Sequence, residues 1–102
     1  MNTVTIEKGN VPVGAALERR ILDKVHWLER FYPALLTCRV AAEGPGAHHR
    51  HGAYRFRLSL HARGTDLVIH GKPASGLRTA LTAAFDAARR CLEDRIRRHR
   101  GI

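Results

Sequence analysis

The sequence predicts an α+β protein with the element order β-α-β-β-β-α, a four-stranded sheet carrying two helices on one face. Three observations lead there. Four segments alternate apolar and polar residues, and two longer ones repeat apolar residues every three or four positions. Glycine and proline punctuate the gaps between them. The strands carry apolar residues on one parity only, so one sheet face takes both helices and the other meets water. A chain of 102 residues has room for one core, which predicts a single domain over residues 1–102.

Thr3 to Lys8 alternates, with Val4 and Ile6 apolar, and reads as a short strand broken by Gly9-Asn10. Pro12 to Tyr32 reads as a helix. Proline suits a first helical turn, and Leu17, Ile21, Val25, Leu28 and Tyr32 make one apolar stripe. Pro33 ends it, because the residue before a proline is pushed out of helical geometry. Leu35 to Glu43 is the second strand, with Leu36, Cys38, Val40 and Ala42 on one side and Thr37 and Arg39 on the other. Gly44 to Gly52 is a loop. Ala53 to Arg63 is a strand with Tyr54, Phe56, Leu58 and Leu60 inward and Arg55, Arg57, Ser59 and His61 outward. Gly64-Thr65-Asp66 marks a tight hairpin. Leu67 to Gly71 returns with Leu67 and Ile69 inward and Val68 and His70 outward. Ser75 is placed to cap a long second helix. Its stripe is Leu77, Leu81, Ala84, Phe85, Ala88, Leu92 and Ile96, supported by Asp86–Arg90, Glu93–Arg97 and Asp94–Arg98 at i,i+4 spacing.

Charge narrows the function. Lys and Arg number 18 against 9 Asp and Glu, for a formal net charge of +9, and 15 of the 18 are Arg. A small domain with this excess repels itself, and an anionic partner relieves it. Guanidinium grips phosphate in two places and stacks on bases, so the arginine bias favours nucleic acid, with RNA first. The competing account is a basic protein from an arginine-rich genome. No run of about 18 apolar residues suggests a membrane span. The amino-terminal residues lack the pattern of a secretory signal, so the expected compartment is the cytoplasm. Cys38 and Cys91 form no CxxC pair and are expected as two lone thiols.

Catalytic signatures are missing from the sequence: no G-x-S-x-G, no H-E-x-x-H and no phosphate-cradling glycine loop. The protein is therefore expected not to be an enzyme, to take no small-molecule substrate and to need no cofactor. His48, His49 and His51 sit in a glycine-rich loop without a carboxylate or cysteine beside them, so no metal site is expected.

The RNA-binding candidates lie on the helices. At about 100° per residue, Arg20, Lys24, Trp27 and Phe31 line one flank of the first helix, with Glu18 and Glu29 on the other. Trp27 and Phe31 either finish the core or offer a ring to a base. The second helix ends in a run from Arg89 to Arg100 with more arginine than a helix carboxyl end needs. The candidate set is Arg19, Arg20, Lys24, Trp27, Arg89, Arg90, Arg97, Arg98 and Arg100. With antiparallel helices, Arg20 would meet the tail of the second helix in one patch. The open sheet face would show Arg39, Arg55, Arg57, His61 and His70, where charge also serves to block edge pairing.

Three segments carry a family resemblance: Ala16 to Val25 with Leu28-Glu29, the strand from Tyr54 to Gly64, and Ala80 to Arg98 with its core from Ala84 to Asp94. With them nearly the whole chain resembles the ribosome hibernation-promoting factor or ribosome-associated inhibitor (sigma-54 modulation, S30EA) family. The resemblance implies two helices running in parallel on one sheet face, in place of the antiparallel pair. It implies a stress-related translation inhibitor that binds 16S rRNA in the decoding channel of the small ribosomal subunit, with Lys24 and Arg90 at basic family positions. Gly76, Arg78, Thr82, Ala87 and Cys91 depart from the family pattern. Long members continue into a dimerising domain; for a chain ending at Ile102, tail-borne ribosome dimerisation is not expected. The rival readings are a general RNA-binding module untied to the ribosome, and a non-nucleic-acid protein, either a homodimer through the sheet or a metal sensor using the histidine loop.

Overall fold

A computed structural model describes residues 3–9, 11–44 and 53–100, with side chains through Arg98. The elements are β1 (Thr3–Glu7), α1 (Ala15–Phe31), β2 (Leu35–Glu43), β3 (Arg55–Ala62), β4 (Thr65–His70) and α2 (Leu77–Arg100). The sheet order is β1-β2-β3-β4; β1 pairs parallel with β2, and the remaining pairs are antiparallel. This is the predicted α+β fold in the predicted order. A parallel β1–β2 pair requires a crossover, and α1 supplies it.

The core lies between the sheet and the helix layer. Cys38 and Val40 of β2, Phe56, Leu58 and Leu60 of β3, and Ile69 of β4 are buried from below. Ile21, Val25 and Leu28 of α1 and Leu81, Phe85 and Leu92 of α2 meet them from above. The residues between them along each strand, such as Arg39, His61 and Val68, face solvent. The period of two on the strands and of 3.6 on the helices thus converge on one cluster.

The helices run in the same direction. Because β1, β2 and β4 point one way and each helix returns along the sheet from the end of β1 or β4, α1 and α2 both point the other way. Trp27 and Arg89, in contact across the helix pair, each lie twelve residues past their helix starts, Ala15 and Leu77. The antiparallel arrangement is excluded, and the parallel one implied by the family resemblance holds.

Four local expectations are corrected. α1 begins at Ala15 rather than Pro12, because Val11 and Val13 are both buried and reach the core from extended backbone. A residue before proline resists helical geometry, which keeps Val11 outside the helix. In β2 the register slips between Leu35 and Thr37, so Leu35 is buried and Leu36 is 37% exposed, the reverse of the expected parity. One extra residue in one strand is enough to invert the pattern upstream of it. The β3–β4 hairpin closes between Ala62 and Thr65, one residue earlier than Gly64-Thr65-Asp66 suggested, with Gly64 at φ +77° taking the left-handed position. Ser75 does not cap α2; the Gly76 carbonyl accepts the first helical bond, from the Ala80 N–H at 3.0 Å.

Gly71, just past β4, sets how closely α2 sits on the sheet. It is buried, and its N–H donates to the Phe56 carbonyl at 2.9 Å. A Cβ there would stand 2.7 Å from Ala84 Cβ and 2.8 Å from Ala84 Cα, so only glycine fits under the helix.

Candidate nucleic-acid interface

The α1 flank that faces α2 carries Arg20, Lys24, Trp27 and Phe31, one turn apart along the helix. Arg89 of α2 reaches across and lays its guanidinium over both rings, 5.5 Å from the Trp27 centroid and 5.4 Å from that of Phe31. Lys24 Nζ lies 6.0 Å from the Trp27 centroid. These are cation–π distances, at which ring quadrupole and charge attract. Arg89 is also held from its own helix, donating from Nε to Glu93 Oε1 at 2.9 Å. Trp27 is 38% exposed, so its indole is neither a core side chain nor a free one.

Of the nine candidates, Arg20, Lys24, Trp27 and Arg89 come together. Arg20, Asp23, Lys24 and Trp27 line one shallow hollow. Arg90 and Arg97, two turns apart on the outer side of α2, line a second hollow with Cys91, Glu93 and Asp94. Arg98 is paired with Asp94 at 3.4 Å. Arg19 stands about 100° round α1 from Arg20 and points away from the inter-helix groove. The Arg100 side chain lies outside the described residues, as do His48, His49 and His51. The expected patch of Arg20 with the α2 tail does not form: in parallel helices Arg20 and Arg97 are about 22 Å apart along the axes. Of the three expected i,i+4 pairs, Asp94–Arg98 forms, whereas Glu93 pairs with Arg89 instead of Arg97.

The two faces differ in how far their cations are paired. On the open sheet face Arg39 meets Glu7 at 3.3 Å, Arg55 meets Glu43 at 3.2 Å and His61 meets Asp66, which leaves Arg57 without a carboxylate among the described residues. On the helix layer no carboxylate stands within ion-pair distance of Arg20, Lys24, Arg90 or Arg97 among the described residues. An exposed ion pair is worth only about 0–1 kcal/mol, so it does not lock a side chain. It does cancel charge locally, and that leaves the helix layer as the stronger source of positive potential.

Phe31, already placed on the flank with Trp27, forms the second wall of the Arg89 contact. Two contributors were missed in the sequence, and one of them, Glu93, tethers the guanidinium. The other, Arg78, lies eleven residues before Arg89, three turns back on the same side of α2. The Arg89–Glu93 spacing was a readable signal. The position of Arg78 required the helix direction.

The two thiols differ in burial. Burial pushes the Cys38 thiol up to about 12, since charging it in the core costs solvation. Cys91 is exposed on α2. A thiol-reactive dye on the native protein at neutral pH is therefore expected to label one equivalent, at Cys91, and a second only after unfolding; fast labelling of both would contradict the burial of Cys38. Stabilisation from the protonated Cys38 is whole below its unfolded value near 9.0 and is lost as pH climbs toward 12.

Among the described residues, no group of three or more His, Cys, Asp or Glu is placed to hold a metal ion, and no helix is long and apolar enough to cross a membrane.

The family model described as Sigma 54 modulation protein / S30EA ribosomal protein matches residues 4–101. The chain belongs to this family. The S30EA fold is seen again in a solved structure titled a ribosomal subunit interface protein from Coxiella burnetii. It superposes with a TM-score of 0.77 over 90% of this chain and 94% of that one, at 8% sequence identity. At that identity the likeness speaks for the fold alone. Comparison with curated proteins gave no match. S30EA proteins are ribosome-associated rather than enzymes, and in this S30EA chain Arg20, Lys24, Arg90 and Arg97 of the helix layer have no carboxylate partner among the described residues.

Proposed function

We propose that the protein is a ribosome hibernation factor that silences translation by binding 16S rRNA in the decoding channel of the small subunit through its helix layer. The observation that carries the reading is the set of cations on that layer with no ion pair among the described residues, Arg20, Lys24, Arg90 and Arg97, in a chain whose family match spans residues 4–101. The neighbour titled a ribosomal subunit interface protein shares the fold that presents this layer. Phosphate contacts from these groups fix position without reading sequence. The inhibition is steric: a basic domain seated on rRNA excludes mRNA and tRNA. The reading needs one domain, no cofactor and no catalytic step, and puts the protein in the cytoplasm.

Sedimentation with purified subunits on sucrose gradients tests it. Comigration with the small subunit is expected at low salt, with steep loss as salt rises, because each phosphate contact releases counterions. Absence of comigration at low salt overturns the reading. Equal affinity for the subunit and for random RNA would favour a general RNA-binding module instead.

A further inference from the structure

The hollow beside Trp27 differs from the rest of the basic surface. It combines two cations, Arg20 and Lys24, with an aromatic ring and a carboxylate, Asp23, in about 270 Å³. A surface that only gripped phosphate would gain nothing from the ring and would be weakened by the acid. The hollow falls just below the size range of small-molecule pockets, which suits a single planar base better than a larger ligand.

The ring is held ready. Arg89 sits over Trp27 and is itself fixed between Phe31 and Glu93. Lys24, on a flexible stem, also lies over Trp27, borders the hollow and can swing toward a phosphate. Asp23 lies four residues before Trp27, one turn away on the same side of α1. No ion pair engages its carboxylate among the described residues. A carboxylate only accepts hydrogen bonds. The base that offers two adjacent N–H donors to one carboxylate is guanine, through N1–H and the N2 amino group.

We infer that the Trp27 hollow is a base-recognition site for an unpaired guanine, stacked on the indole, read by Asp23 and anchored at its phosphate by Arg20 and Lys24. The inference rests on the proposed rRNA binding and adds to it a preference for single-stranded RNA with an exposed guanine. In a duplex both donors of the guanine edge are taken by the paired strand and both base faces by neighbours, so a helix cannot enter.

Trp27 is the one tryptophan of the chain, so its fluorescence reports the site directly. The probes are a single-stranded hexamer of uridines with one central guanosine, the same strand with adenosine or uridine there, and the guanosine strand annealed to its complement. The full chain is titrated at low salt. The guanosine strand is expected to quench Trp27 and to bind at least about fivefold tighter than the others, the net worth of about one hydrogen bond to Asp23. Asp23→Asn should erase the guanosine preference while keeping the quench, and Trp27→Phe should retain more affinity for the guanosine strand than Trp27→Leu, both read by anisotropy of a fluorescein-labelled strand. Equal binding of all four probes without quenching, in a protein that still comigrates with the small subunit, overturns this inference and leaves the functional reading standing. Loss of comigration as well removes both.

Discussion

Gly71→Ala is expected to lower the melting temperature by roughly 8–16 °C. The added Cβ falls 2.7 and 2.8 Å from two Ala84 atoms and 3.0 Å from the Phe56 carbonyl oxygen, and two of these three are backbone. Backbone cannot rotate away as a side-chain tip would, so α2 must lift from the sheet. Overpacking of this kind costs about 1–3 kcal/mol. Taking roughly 2 kcal/mol, with about 4–8 °C per kcal/mol for a domain of this size, gives the range stated. Adding Ala84→Gly is expected not to restore stability. It removes the Cβ clash but leaves Ala84 Cα and the carbonyl, and a mid-helix glycine costs about 1 kcal/mol more. Thermal melts of the two variants followed by circular dichroism check both statements. A Gly71→Ala protein as stable as the parent would mean that α2 does not lie so close to the end of β4.

Lys24→Glu with Arg90→Glu is expected to weaken small-subunit binding by about 100-fold at fixed salt, taking roughly 1.4 kcal/mol for each charge-assisted bond to phosphate that the substitutions remove. Fluorescence anisotropy of the protein labelled at its amino terminus would read it. The dependence of log affinity on log salt should become shallower by about 1.5, because two counterion-releasing groups are gone. Folding should persist, since Lys24 and Arg90 contribute no side chain to the buried cluster. A parent-like affinity and slope would remove the helix layer from the binding surface.

The fold was legible in the sequence because its patterns are long and mutually consistent. The α1 stripe from Leu17 to Leu28 and the β3 alternation from Phe56 to Leu60 both hold in the structure. What failed was local. A bulge such as the one at Leu36 adds a residue without leaving a mark in hydrophobicity, and the burial of Val11 and Val13 ahead of α1 looks like helix from apolar content alone. The site was half legible. Helical spacing places Arg20, Lys24 and Trp27 on one flank without coordinates, whereas their partner depends on how the two helices run. Once the parallel β1–β2 pair fixes that direction, Arg89 replaces the α2 tail as the group that meets them. The difference between cations that are paired, such as Arg39 and Arg55, and those that are not is a matter of cross-strand and inter-helix distance. Composition counts both alike.

The claim beneath the account is that ribosomal phosphate is met by the helix layer and not by the open sheet face. Two double variants with the same change in net charge separate these surfaces: Lys24→Glu with Arg90→Glu on the helices, and Arg55→Glu with Arg57→Glu on the sheet. Their small-subunit affinities, measured side by side at one salt concentration, decide it. The helix pair should lose at least about tenfold more affinity than the sheet pair, the value of one bond to phosphate. Equal losses, or a larger loss from the sheet pair, would contradict the account.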